Sequence, residues 1–154
     1  AFAKKVVDTF VESEFHDLNR VLMFQGMEGY DDVRPGYTKV AEWTAAEGGA
    51  SDTGADGSDG ATFDDFEIET ADYGMDLEEA DLAVDDVAVE SAAITEDVLA
   101  GERDGAFADA VAVNAALRIY AREDADSIEA GLEAAREAID DGSAHEVLES
   151  LREF

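Results

Sequence analysis

At Gly74 the hydrophobic period of this chain changes. Before it, apolar residues form a short continuous run ("RVLMF", residues 20–24) or alternate with polar ones ("TKVAEW", 38–43; "FEIET", 66–70). After it they recur every three or four residues to the end. Side chains alternate across a strand but return about every 3.6 residues around a helix, so neither pattern can serve as the other. The chain is therefore expected to be α/β, with its strands in the first half and a helical carboxyl-terminal portion. Phe2, Val6, Val7, Phe10 and Val11 add an amphipathic helix in front. "RVLMF" fits a strand covered on both faces, and a helix followed by such a strand is half of a parallel α/β unit.

The helices can be placed by their punctuation. Val87, Ile94 and Val98 share a face and Gly101 can stop that helix; Phe107, Val111, Leu117 and Tyr120 mark the next. Asp126 with Glu129 has capping-box spacing ahead of Ile128, Leu132, Ala135 and Ile139, with Gly142 as terminator. Ser143 with Glu146 repeats the device before Val147, Leu148 and Leu151, so the chain is expected to close on an αα-hairpin. Residues at about 45–62 are Gly, Asp, Ser and Ala with almost nothing to bury. They read as an exposed insertion in a single unit spanning 1–154.

Charge bounds the partners. Forty Asp and Glu stand against ten Lys and Arg, a formal net charge of −30, and the acids occur in every segment. Such a chain repels itself at low salt, and concentrated salt screens the repulsion. A salt-rich cytoplasm is the expected setting. Nucleic acid is an unsuitable partner, because phosphate binding needs clustered bases. There is no cysteine and no apolar run of membrane-spanning length. The chain starts at Ala1 without methionine and is expected to be a fragment.

Candidate chemistry centres on "RVLMFQGMEGYDDVRPGYTKVAEW" (20–43). Asp-Asp pairs also occur at 64–65, 85–86 and 140–141, so the dipeptide alone carries no information. The placement of Asp31 and Asp32 carries more, because loops leaving strand ends are where α/β proteins bind ligands. Gly26 and Gly29 would let the backbone turn tightly and approach a ligand. Two carboxylates there suit Mg²⁺, which commonly takes one or two carboxylates plus phosphates and waters; plain surface charge is the alternative. His16 and His145 have no ligand partners in the sequence and read as surface residues. Asn114, within "AVAVNAALRIYA", reads as a satisfied core or interhelix amide.

Together the segments resemble the anthranilate phosphoribosyltransferase family, whose fold is related to pyrimidine nucleoside phosphorylases. The matching elements are Gln25-Gly26, Gly29-Tyr30-Asp31-Asp32, Thr38-x-Val40-x-Glu42, "FEIETADYGM" and the closing helices with Asn114-Ala115-Ala116. The resemblance implies an α/β catalytic domain, usually dimeric. It implies transfer of phosphoribose from phosphoribosyl pyrophosphate to anthranilate or a similar small aromatic acceptor in tryptophan biosynthesis. It also implies that Asp31 and Asp32 ligate Mg²⁺ near the pyrophosphate, with Gly26 and Gly29 shaping the cofactor-binding loop, in a cytoplasmic enzyme. Two positions depart from the family pattern: Gln25 replaces a histidine, and Asp32 replaces a glutamate. The glycine-rich Gly-Thr-Gly-Gly-Asp loop of the family's first half is not in this sequence. The resemblance therefore implies a chain that is incomplete alone, acting as a homodimer or with the missing amino-terminal half. A non-catalytic or different-acceptor relative, and a nucleoside phosphorylase, remain as alternatives.

Overall fold

The computed structural model describes residues 2–11, 18–26, 29–45 and 61–154. Helix α1 (Phe2–Val11) leads to β1 (Arg20–Gln25), β2 (Tyr37–Thr44) and β3 (Thr62–Glu69). Short 3-10 turns at Thr70–Tyr73 and Glu79–Leu82 precede α2 (Val87–Leu99), α3 (Ala106–Ala121), α4 (Ile128–Asp140) and α5 (Ser143–Arg152). The change of period at Gly74 falls just after the sheet, between β3 and the carboxyl-terminal helices. Among the described residues, no helix is long and apolar enough to cross a membrane.

The strands form one sheet in the order β1-β2-β3, and both pairings are antiparallel. The expected parallel unit is therefore corrected. Only residues 26–36 join β1 to β2, whereas parallel neighbours need a crossover of about a dozen residues or more, usually a helix. "RVLMF" is partly buried at all five positions and fully buried at none. It is an edge strand, apolar on both faces but paired only with β2 among the described residues. The third strand starts at Thr62, four residues before its expected start. Pairing of Thr62–Asp65 with Ala41–Thr44 overrides the poor strand propensity of adjacent aspartates. Because Thr44 faces Thr62, the Gly- and Asp-rich segment joins neighbouring strand ends; residues 46–60 of it lie outside the described residues.

Antiparallel pairing places Phe24, Val40 and Phe66 in one cross-strand row, with Thr38 beside Ile68 in the next. This face meets α3, and the core runs on through Val113, Ala116 and Leu117 to Leu132, Ala135 and Ile139 of α4. The two helices come very close at Gly131, where a Cβ would lie 2.7 Å from the Ala116 main-chain oxygen. Glycine inside a helix costs about 1 kcal/mol relative to alanine. A methyl at this contact would force the helices apart at a cost on the order of 1–3 kcal/mol, so packing outweighs propensity here. On the other face of the sheet α1 lies against β1 and β2, with Val7 fully buried.

One polar cluster crosses from sheet to α3. Arg20 Nε pairs with Glu42 Oε1 at 3.0 Å, and the Tyr120 hydroxyl donates to the same oxygen at 2.9 Å. Arg20 Nη1 donates to the Tyr120 carbonyl at 2.8 Å, and the guanidinium stacks 4.1 Å from the Tyr120 ring centroid. The cluster explains how an acid can sit at Glu42 on the core-facing side of β2: its charge is paired and hydrogen-bonded.

Helix ends differ from expectation by small shifts. Ser127, not Asp126, caps α4 by accepting from Ala130 N–H at 3.2 Å. Ser143 is the first residue of α5, not its cap, and its N–H donates to Asp141 Oδ1 at 2.9 Å. Only Asp141 and Gly142 separate α4 from α5, and Gly142, at φ +81, takes the position before the helix, which places the serine inside it. Asp86, unmarked in the sequence reading, caps α2 through Ala88 N–H and Val89 N–H. Of the face expected for α2, Val98 is buried and Ile94 partly so, while Val87 is exposed at the first turn.

Candidate functional site

β1 runs out at Gln25, and the chain turns at once. Gly26 N–H donates to the Tyr30 carbonyl at 2.7 Å and Gly29 N–H to the Gly26 carbonyl at 3.2 Å, closing a tight loop. Gly26 is buried beneath that loop: a Cβ there would lie 2.9 Å from the Asp32 main-chain oxygen and 3.4 Å from Tyr30 Cβ. Gly29 has open space around it but stands at φ +86, where side chains other than glycine are strained. The two glycines thus have different reasons to be glycine. One gives the returning chain room, the other permits the turn.

The carboxylates sit on the outer side of the same loop. Asp31 is exposed and has no ion pair among the described residues. Asp32 is half-buried, with Oδ1 3.3 Å from Arg34 Nε in an ion pair that lacks hydrogen-bond alignment. The Arg34 guanidinium lies 3.7 Å from the Tyr30 ring centroid, and its Nη1 is 3.7 Å from Glu79 Oε2 in the second 3-10 turn. Arg34 is therefore held between two acids over an aromatic face. Sequence reasoning missed it, although a lone base two residues after the pair in so acidic a segment was a readable signal.

Behind the pair the loop is nailed into the core. Val33 is 2% exposed and packs in the main hydrophobic cluster. Its N–H donates to Asn114 Oδ1 at 2.9 Å and its carbonyl accepts from Asn114 Nδ2 at 2.9 Å. Asn114 is thus satisfied, as expected, but it joins a helix to a loop and not two helices. Its separation of 81 residues from Val33 leaves no trace in the sequence. Thr38, Val40 and Glu42 follow on the core-facing side of β2.

Gly26, Gly29, Asp31 and Asp32 are thus gathered in one loop. His145 stands apart on α5, with an Nδ1 that is buried and has no hydrogen-bond partner, and His16 lies outside the described residues. Among the described residues no group of three His, Cys, Asp or Glu converges as a ready metal cage. The donor set at the loop consists of two hard carboxylates, one of them solvent-facing. That suits a cation such as Mg²⁺, which completes its shell with waters and phosphate oxygens. A separate hollow of about 600 Å³, bordered by Met23, Gln25, Lys39, Ala41, Asp65 and Glu67, is lined by neither carboxylate.

Comparison with known proteins adds a second line. The family model described as "Glycosyl transferase family, a/b domain" matches residues 3–145. The chain is 38% identical over 96 residues to the anthranilate phosphoribosyltransferase of Natronomonas pharaonis, covering 62% of this chain and 29% of that protein. With the anthranilate phosphoribosyltransferase of Rubrobacter xylanophilus it shares 31% identity over 131 residues, covering 84% of this chain and 34% of that one. The crystal structure of anthranilate phosphoribosyltransferase from Thermus thermophilus superposes with a TM-score of 0.63 at 27% identity, over 85% of this chain and 34% of that one. The chain spans about a third of the length of the relatives it matches.

Proposed function

Because the chain belongs to the glycosyl transferase family represented by that a/b domain, we propose that the Gly26–Val33 loop is the metal–pyrophosphate edge of a phosphoribosyl-transfer site. The donor is phosphoribosyl pyrophosphate and the acceptor is anthranilate or a similar small aromatic. The observation that carries the reading is the loop itself. Gly26 is closed under the Asp32 carbonyl, and the Asp31–Asp32 pair is presented from a strand end in a chain matched by the family along residues 3–145.

In this reading Asp31 and Asp32 hold Mg²⁺, which when bound would offset the charge that develops on the leaving pyrophosphate. Asp31 is already open to it, while Asp32 must share or release Arg34. Gly26 and Gly29 keep the loop low enough for a polyphosphate to approach. No proton need be moved at this edge, so the chain's contribution is position and charge. The glycine-rich half of the family site is not among these 154 residues, and the chain alone is proposed to be inactive. Dimerisation, or association with that half, and a cytoplasmic setting belong to the same proposal.

The test follows anthranilate fluorescence on addition of phosphoribosyl pyrophosphate and Mg²⁺ in multimolar KCl, with the site completed by the residues this chain lacks. Turnover should require Mg²⁺ and fall at least about a hundredfold in Asp31→Asn, as when a transition-state charge contact is lost. Full activity in an Asp31→Asn, Asp32→Asn double variant would refute the metal assignment. Gln25 and Asp32, which differ from the family pattern, favour a second reading with a different acceptor. A requirement for inorganic phosphate in place of phosphoribosyl pyrophosphate would instead point to a nucleoside phosphorylase.

A further inference from the structure

Asn114 stands in the middle of α3, but most of its side-chain bonding is spent outside that helix. Oδ1 accepts from Val33 N–H, and Nδ2 donates to the Val33 carbonyl and to Ala110 O, each at 2.9 Å. The amide thus pairs with both main-chain groups of one residue, as an adjacent strand would, while its remaining donor anchors it to its own helix. A carboxamide suits this task because it offers an acceptor and two donors in one plane. An apolar residue would leave Val33 N–H and C=O unpaired in the core, and an ionised aspartate would face two carbonyl oxygens.

Val33 is the residue directly after Asp32, and on the other side of the loop the Asp32 carbonyl rests over Gly26. The chain that carries the carboxylates is therefore held at two points, by Gly26 below and by Asn114 behind. We propose that Asn114 is a positioning residue for the Asp31–Asp32 pair: by fixing the Val33 main chain it sets where the two carboxylates stand, and hence how tightly they hold a divalent cation. The consequence for cation binding rests on the function proposed above; the control of the loop by Asn114 does not.

The experiment compares Asn114→Ala and Asn114→Asp with the unaltered chain in concentrated KCl. Amide hydrogen exchange reports the loop, and Mn²⁺ binding, followed by electron paramagnetic resonance, reports the carboxylates. Val33 N–H should lose protection in Asn114→Ala and, to a smaller degree, in Asn114→Asp, whose carboxylate keeps the acceptor but faces the Val33 and Ala110 carbonyl oxygens, while the amides of Leu117 and Leu132 keep theirs. Mn²⁺ affinity should drop about tenfold or more, the scale of losses when groups that orient metal ligands are removed. Two results overturn the proposal: a Val33 amide that stays protected in Asn114→Ala, or unchanged Mn²⁺ affinity once that amide has become labile. If Asn114→Ala unfolds globally, Asn114→Asp, which keeps the volume and the acceptor, decides; global unfolding there too would make the amide a structural support only. Failure of the proposed function looks different. Mn²⁺ affinity would then be indifferent to Asp31→Asn and Asp32→Asn, while Val33 exchange still answered to Asn114.

Discussion

A methyl group on Gly26 would meet main chain, not a flexible side chain: the Asp32 oxygen stands 2.9 Å from where its Cβ would be. Gly26→Ala must therefore lift the loop, at an expected cost on the order of 1–3 kcal/mol, measured by chemical denaturation in concentrated KCl. Gly29→Ala has space but is strained at φ +86, which costs about 1–2 kcal/mol. The two can be told apart by cation binding. Gly26→Ala should weaken Mn²⁺ binding more than Gly29→Ala does, because only the first displaces the Asp32 carbonyl. A Gly26→Ala chain as stable as the parent would mean that the loop is not closed as described. At this scale the glycines and the acidic pair were legible, because a turn needs local residues. Their supports were not: Arg34 binds through Asp32 and Glu79, and Asn114 reaches across 81 residues.

Between elements, the joint of β1, β2 and α3 depends on Arg20, Glu42 and Tyr120. Burial raises the Tyr120 pKa above its ordinary value of about 10, assisted by the hydrogen bond and the charge of Glu42 and opposed by Arg20. A pKa raised on folding stabilises fully below the unfolded value, and that contribution is lost as pH rises through the folded value. Stability should therefore decline above about pH 10, and Tyr120→Phe should make that decline shallower. The same variant should lose about 1 kcal/mol at neutral pH, since it forfeits one hydrogen bond. Some alkaline slope should persist, because Tyr73 is also raised, by burial first and then by Glu129 and Asp72. Thermal melts of both proteins across that range check the prediction, and identical slopes would show that Tyr120 ionises freely. Glu42 was visible in the sequence as part of a Thr-x-Val-x-Glu pattern. Its partners were not, because they arrive from a strand edge and from a helix 78 residues away.

For the molecule as a whole, charge sets the conditions of folding. The described ion pairs are mostly exposed, and such pairs contribute little each. They leave a net charge of −30 to repel itself. Lowering KCl from about 1 M to about 0.1 M lengthens the screening distance from about 3 Å to about 10 Å, so the melting temperature should fall steeply. A salt-insensitive melt would remove the reading of the acidity as salt adaptation.

By itself the sequence determined where period-two patterning yields to helix, which residues could turn after β1, and how much net negative charge the folded chain carries. These follow from local sterics, side-chain period and summed charge, none of which needs a partner far along the chain. Only the tertiary structure decided that the strands pair antiparallel, that Thr62–Asp65 join the sheet, that Asp32 is met by Arg34, and that Asn114 grips Val33. Each of those depends on which distant backbone comes alongside, and contact between remote segments is a property of the packed chain that no local pattern encodes.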